Sequence, residues 1–306
     1  MKILVATEKP FAAAAVNGIK EIAAGAGHEV VLLEKYSDKG ELLSAVADAD
    51  ALIVRSDKVT AEVVAAAPSL KIVVRAGAGY DNIDLQACTE RGIVAMNTPG
   101  QNANAVAELA IAMMIFMSRN QFNPGTGGEI SGRKLGIQAY GNVGRLVAEK
   151  AMALGMSVMA FDPFVPEDKM RSEGVTPACS LEQMYSECDF ISLHIPATPQ
   201  TVGSIGYDLM SRMPKGACLL NTARKEVINE AELVKILSDR PDLKYVADVA
   251  PACYAELEEK FGRQVFATPK KMGAETAEAN INAGLAAARQ IAAYFSDGCT
   301  RFQLNK

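Results

Sequence analysis

Lys134-Leu135-Gly136-Ile137-Gln138 is a short apolar run that breaks into Ala139-Tyr140-Gly141-Asn142-Val143-Gly144, and a helical pattern of Leu146, Val147, Lys150, Ala151 and Leu154 follows. A second apolar run, Val158-Met159-Ala160-Phe161, ends in Asp162. Leu135 to Asp162 is therefore one strand-turn-helix-strand unit, laid out as a dinucleotide site. Gly141 lets the backbone approach a pyrophosphate, the helix N-terminus faces its charge, and a carboxylate ending the next strand accepts from ribose hydroxyls. Tyr140, Gly141, Asn142, Val143, Gly144 and Asp162 become the cofactor-binding candidates. Ala139 stands where the usual fingerprint has its first glycine, and alanine serves there if the residue keeps φ below zero. The glycines alone also describe an ordinary tight turn; the strand before, the helix after and the placed acid favour the nucleotide. Asp162 is followed by Pro163-Phe164 rather than Arg or Lys. A carboxylate repels a 2′-phosphate and no cation follows to receive one, so NAD is expected rather than NADP.

The chain has 306 residues, enough for two α/β domains with buried cores. No apolar run is long enough to span a membrane and no signal pattern precedes Met1-Lys2-Ile3-Leu4-Val5, so a soluble cytoplasmic protein is expected. The six cysteines are scattered without a CxxC, which reads as small buried hydrophobes in a reducing compartment. With two histidines, His28 and His194, a histidine-based metal site is improbable and none is expected. A net charge of −5 gives no support for nucleic acid or a membrane surface as partner.

Short β-rich runs at 2–6, 30–33, 51–54, 71–74 and 93–95 alternate with Ala-rich helical stretches, which predicts parallel sheets covered on both faces. Asn102 to Met117 reads as a long helix, apolar nearly all round, with Asn102 as cap and its methionines as core or subunit-interface filler. Asn123-Pro124-Gly125-Thr126-Gly127-Gly128 follows as a breaker, and the last helix is expected from Glu275 to Phe295. The expected architecture is two doubly wound parallel-sheet domains. A discontinuous substrate-binding domain, flavodoxin-like, takes 1–97 and 276–306; a Rossmann NAD domain takes 98–275. Ligands bind at strand carboxyl ends, so chemistry is expected in a cleft between them.

Several further segments occur in order: Ile53-Val54-Arg55-Ser56, Arg75-Ala76-Gly77-Ala78-Gly79-Tyr80-Asp81-Asn82, Asn97-Thr98-Pro99-Gly100-Gln101-Asn102, the fingerprint with Asp162, Ser192-Leu193-His194-Ile195-Pro196, Asn221-Thr222-Ala223-Arg224, Asp248-Val249 and Thr268-Pro269. From about residue 50 to 290 this set resembles the D-2-hydroxyacid dehydrogenase family, and within it the phosphoglycerate dehydrogenases. The resemblance implies hydride transfer between NAD and C2 of a small 2-hydroxy acid. Arg224 resembles the family arginine that grips the carboxylate and polarises the C2 oxygen, a task suited to its planar fork. Gly77, Ala78 and Gly79 are similar to the loop whose N–H groups hold the substrate carboxylate. Asp248 matches the acceptor for the nicotinamide carboxamide. Asn102, His194, Pro196, Thr201, Thr222 and Ala223 fall where the family lines the cofactor; His194 would otherwise read as a core histidine.

An acidic protein that handles a phosphorylated acid needs a local cationic cluster. Arg55-Ser56, Arg75, Arg224 and Lys270-Lys271 would supply it, and Arg55 and Ser56 match the pair that binds phosphate in phosphoglycerate dehydrogenases. Otherwise Arg55 and Arg75 are solvated loop cations. The family base, a histidine in Thr-Pro-His, is replaced by Lys270, and Cys253 stands where its partner glutamate is expected. Losing both members together is similar to a lysine-bearing subgroup of short phosphoglycerate dehydrogenases. Lysine at its ordinary pKa of about 10.4 is a poor base at neutral pH; burial in the cleft and repulsion from Arg224 would lower it, while in reduction it is a good acid as it stands. Cys253 reads as packing, with oxidation as a second possibility. A chain ending at Lys306 leaves an expectation of no C-terminal regulatory domain. The reading is oxidation of D-3-phosphoglycerate to 3-phosphohydroxypyruvate, the first step of serine biosynthesis; the resemblance implies a homodimer joined through Asn102–Met117, which the sequence itself does not fix. The rivals are a hydroxypyruvate or glyoxylate reductase and a non-catalytic NAD-sensing binding protein.

Overall fold

The computed structural model describes residues 1–306. They form two compact units, Met1–Asn102 with Glu275–Lys306, and Ala103–Ala274. The first boundary falls after residue 102 rather than 97. Residues 97 and 98 are tied into the first unit: Asn97 Nδ2 donates to the Ala78 carbonyl at 2.5 Å and Thr98 N–H to the Gly77 carbonyl at 3.0 Å.

The first unit holds β1 (Lys2–Thr7), β2 (Glu29–Glu34), β3 (Ala51–Val54), β4 (Ile72–Arg75) and β5 (Val94–Asn97), parallel, in the order β2-β1-β3-β4-β5. That is the flavodoxin-like order. Its strands read as continuous apolar runs because each face carries its own core. Leu4, Ala6, Leu52, Val54 and Val73 pack on one side against Leu42, Val46, Val63 and Val64 from short helices. Ile3, Val5, Ile53, Ile72 and Val74 pack on the other against the helices Ala13–Gly25 and Ala277–Asp297. Thr276 caps the latter, accepting from Ala279 N–H at 3.1 Å.

The second unit holds β6 (Lys134–Gln138), β7 (Ser157–Phe161), β8 (Thr176–Pro177), β9 (Phe190–Leu193), β10 (Cys218–Asn221), β11 (Lys244–Ala247) and β12 (Val265–Ala267). Their order is β12-β11-β10-β9-β6-β7-β8, all parallel. The strand order reverses between β6 and β9, the switch point at which such sheets bind ligands. Helices Ala103–Ser118 and Asn142–Ala153 cover one face, with Met113, Met114 and Met117 buried in its core. Gly136 lies mid-strand because a Cβ there would stand 2.6 Å from Ile191 and 2.7 Å from Met184 on the other face.

The reading of all six cysteines as buried is corrected. Cys88, Cys188 and Cys218 are buried, whereas Cys179 and Cys299 are exposed and Cys253 is half-buried. The surface positions follow a short strand and a helix end, where no neighbouring element covers them. No helix is long and apolar enough to cross a membrane.

Candidate active site

Strand register aligns Phe161, Gln138, Leu193, Asn221, Ala247 and Ala267 across the carboxyl edge of the second unit. The next residues are Asp162, Ala139, His194, Thr222, Asp248 and Thr268. Candidate residues far apart in sequence thus stand in one row, because parallel strands present their carboxyl ends on the same side.

At the switch point, Ala139 has φ +76°. The expectation of a negative φ is overturned: the turn needs a left-handed residue, and alanine holds it at a cost of roughly 1 kcal/mol. Gly144 makes the close approach, since a Cβ there would overlap the Ala139 carbonyl oxygen. A Cβ on Gly141 would meet nothing within 4 Å, so that face of the turn is open to a ligand backbone. The first intrahelical bond runs from Arg145 N–H to the Gly141 carbonyl at 3.1 Å, leaving the N–H groups of Asn142, Val143 and Gly144 without acceptors. Asp162 Oδ2 accepts Tyr140 N–H at 2.8 Å and Oδ1 accepts Phe164 N–H at 2.9 Å. Tyr140 is 1% exposed, and burial followed by Glu173 raises its pKa, so it offers the site only backbone. Phe164 projects from this edge at 92% exposure. An open glycine face, free helix N–H groups and a half-buried acid fit a dinucleotide.

His194 is held from both nitrogens, Nε2 2.9 Å from Ser192 Oγ and Nδ1 3.2 Å from Thr222 Oγ1. Burial pushes its pKa down to about 4. Thr201 Oγ1 donates to the Pro196 carbonyl at 2.5 Å and accepts from Thr198 N–H at 2.8 Å, closing the loop after β9.

Asn221 shapes the loop after β10, donating from Nδ2 to the Arg224 carbonyl at 2.9 Å and accepting Ala223 N–H at 3.0 Å. Arg224 bonds only the Ala223 carbonyl, at 3.1 Å, and has no carboxylate partner. A half-buried guanidinium without a counter-ion has the chemistry to receive an anion.

Asp248 is 1% exposed, and its carboxylate is spent on the chain itself. Oδ1 accepts Met272 N–H at 2.7 Å and the Thr268 hydroxyl at 3.1 Å, and Oδ2 accepts Gly273 N–H at 2.8 Å. It therefore clamps the loop that carries Lys270 and Lys271, a task the sequence did not disclose. Lys270 is exposed and makes no hydrogen bond or ion pair, so the second unit does not give it the burial expected of a lysine base. Lys271 is exposed as well.

Near Cys253, Glu230 accepts the N–H groups of Ala252 and Cys253, both at 2.9 Å. Burial first, then Glu230, pushes the Cys253 thiol up to about 11, which disfavours the thiolate.

In the first unit, Val54, Arg75 and Asn97 are level. Arg75 Nε donates to the Arg55 carbonyl at 3.0 Å, which brings the two arginines to one edge with exposed Ser56. A Cβ on Gly77 would overlap the Arg75 guanidinium. Beyond it, the N–H groups of Ala78 and Gly79 have no acceptor within the chain. Arg55 bonds the carbonyls of Lys9 and Pro10 and the amide oxygen of Asn280. Asn280 was missed because it sits in an Ala-rich helical pattern with nothing nearby in sequence to mark it. Asn102 ends this unit, one residue before the long helix begins.

Residues 104–269 match the D-isomer specific 2-hydroxyacid dehydrogenase NAD-binding domain. The cofactor (NAD+)-bound 3-phosphoglycerate dehydrogenase of Entamoeba histolytica superposes with a TM-score of 0.88 at 50% identity, over 100% of this chain and 99% of that one. A hydroxypyruvate reductase of Thermotoga maritima is 36% identical over 86% of this chain and 90% of its own. A D-3-phosphoglycerate dehydrogenase of Mycobacterium tuberculosis is 37% identical over 83% of this chain, which spans only 51% of that relative. The chain belongs to the D-isomer specific 2-hydroxyacid dehydrogenase family and carries its NAD-binding domain.

Proposed function

We propose that the protein is an NAD-dependent dehydrogenase that interconverts D-3-phosphoglycerate and 3-phosphohydroxypyruvate, the entry step to serine, in the cytoplasm. The observation that carries this reading is the 50% identity to an NAD+-bound 3-phosphoglycerate dehydrogenase along the whole of both chains. The counter-ion-free guanidinium groups of Arg55 and Arg224 support it, since a substrate bearing phosphate and carboxylate needs both.

Bound NAD supplies the hydride acceptor or donor at C2. The open face of Gly141, the helix N-terminus at Asn142–Gly144 and Asp162 would hold it, with Thr222 and Ala223 along the same edge. Asp248, already committed to Met272 and Gly273, orders the lysine loop in this reading. Arg224 binds the substrate carboxylate and polarises the C2 oxygen, a task suited to its planar fork. Arg55, Ser56 and Arg75, at one edge of the first unit, hold the phosphate. Lys270 gives the C2 oxygen its proton in reduction, as a general acid.

The outer face of the Ala103–Ser118 helix supports reading the protein as a homodimer. Ile111, Ala112, Ile115, Ala153 and Leu154 line an apolar groove of about 420 Å³ there, rimmed by Glu108 and Lys150. Sedimentation at micromolar concentration reads the mass directly; a monomer would reject this part.

The decisive assay is NADH oxidation with 3-phosphohydroxypyruvate and, separately, hydroxypyruvate, for the wild type and Lys270→Ala. Turnover that strongly favours the phosphorylated acid and collapses in the variant supports the activity and the proton role. An unchanged kcat with raised KM in Lys270→Ala would remove the proton role. Preference for hydroxypyruvate would favour the reductase reading, to which the Thermotoga relative lends weight. NADH binding without turnover would favour a sensor.

A further inference from the structure

We propose that Asn280 is the positioning residue that makes Arg55 a phosphate receptor and so sets preference for a phosphorylated over a plain 2-hydroxy acid. The proposal rests on the substrate reading above. Arg55 has five N–H donors. Nη1 donates to the carbonyls of Lys9 and Pro10, both at 3.1 Å, and Nη2 donates to Asn280 Oδ1 at 2.5 Å. That leaves the Nε–H and one Nη2–H without an acceptor. The guanidinium also lies over the Phe11 ring, 5.3 Å from its centroid, and Phe11 is buried. The group is held on three sides, with two donors left for a ligand.

Every oxygen that holds Arg55 is neutral. A carboxylate in any of those places would fix the side chain equally well but would also cancel its charge. Asn280 is the only side chain among the three acceptors, so it is the position at which charge is either retained or cancelled. Its orientation is fixed from the other end: Nδ2 donates to the Thr276 carbonyl at 2.8 Å, which turns Oδ1 toward Arg55. Thr276 also caps the helix that carries Asn280, and Ala283, Ala287 and Ile291 seat that helix on the sheet. Preorganisation of this kind removes the cost of ordering a long side chain when an anion arrives.

A bland alternative is that Arg55 merely pins the Lys9–Pro10 loop to the helix. The two roles part in Asn280→Asp. A carboxylate at this position would strengthen a structural pin, leaving substrate choice untouched, whereas it would compete with a bound phosphate.

The test measures KM for 3-phosphohydroxypyruvate and for hydroxypyruvate, the NADH dissociation constant and Tm in full-length wild type, N280D and N280A. In N280D, KM for the phosphorylated acid should rise roughly 10- to 100-fold, with KM for hydroxypyruvate and NADH affinity within about two-fold. In N280A the same selective rise should be about five-fold, because the positive charge survives but its anchor is lost. If N280D does not fold, N280A alone decides by that selectivity. Equal changes for both substrates, or none, in a wild type that does prefer the phosphorylated acid would overturn the role of Asn280 alone. A wild type without that preference would overturn the substrate reading and this inference with it.

Discussion

Asp248 Oδ2 accepts the N–H of Gly273 at 2.8 Å, and Gly273 can come so near because a Cβ on it would stand only 2.7 Å from that same oxygen. One buried carboxylate therefore fixes the last residues of the loop that bears Lys270, from the end of the neighbouring strand.

An asparagine side chain in its place would set an N–H₂ group against backbone N–H and lose one of the two acceptors. Asp248→Asn should open the Thr268–Gly273 loop, with tryptic cleavage after Lys270 and Lys271 at least roughly 10-fold faster and a stability loss of about 2 kcal/mol, the scale of one charged hydrogen bond. Digestion at the wild-type rate would show that the clamp does not hold the loop.

The strained turn before the cofactor helix gives a second expectation. Ala139→Gly removes a Cβ from a φ of +76° and should stabilise the protein by up to about 1 kcal/mol in urea unfolding, with NADH affinity kept. Gly144→Ala drives a Cβ into the Ala139 carbonyl and should weaken NADH binding by at least about ten-fold, with a loss of about 1–3 kcal/mol in stability. Equal behaviour of the two variants would contradict the geometry of the turn.

His194 makes stability depend on pH. Its folded pKa is lowered from 6.5 to about 4 by burial, so between those values the unfolded chain binds more protons. Its contribution is complete above pH 6.5 and is lost as pH falls through 4; the gap between 6.5 and about 4 corresponds to roughly 3 kcal/mol. In His194→Gln the slope of unfolding free energy between pH 6.5 and 4 should shrink by up to one proton. An unaltered slope would assign that proton uptake elsewhere.

The row of candidate residues at the carboxyl edge of the second sheet was legible because its parts repeat one local grammar. Each candidate follows an apolar run, and parallel strands bring residues that follow such runs to one edge. Spacing alone points to Gly141 and Asp162, whereas Thr222, Arg224 and Asp248 are marked only by the family resemblance. The same reasoning failed on Ala139, whose φ is set by the path from β6 into the helix rather than by its own preference. It also failed on burial at Lys270, since sequence marks a residue type at a loop and not its exposure.

The sequence by itself determined the alternation of strands and helices and the cofactor turn with its acid. These are written in local spacing, where residues a few positions apart must share a strand, a turn or a helix face. Tertiary structure decided which charges are answered and by what. Asp248 is absorbed by the N–H groups of Met272 and Gly273, and Glu230 by those of Ala252 and Cys253. Arg55 keeps its charge because a helix from the far end of the chain offers it an amide oxygen rather than a carboxylate. Such pairings depend on strand register and helix seating, which emerge only when the cores of each unit pack.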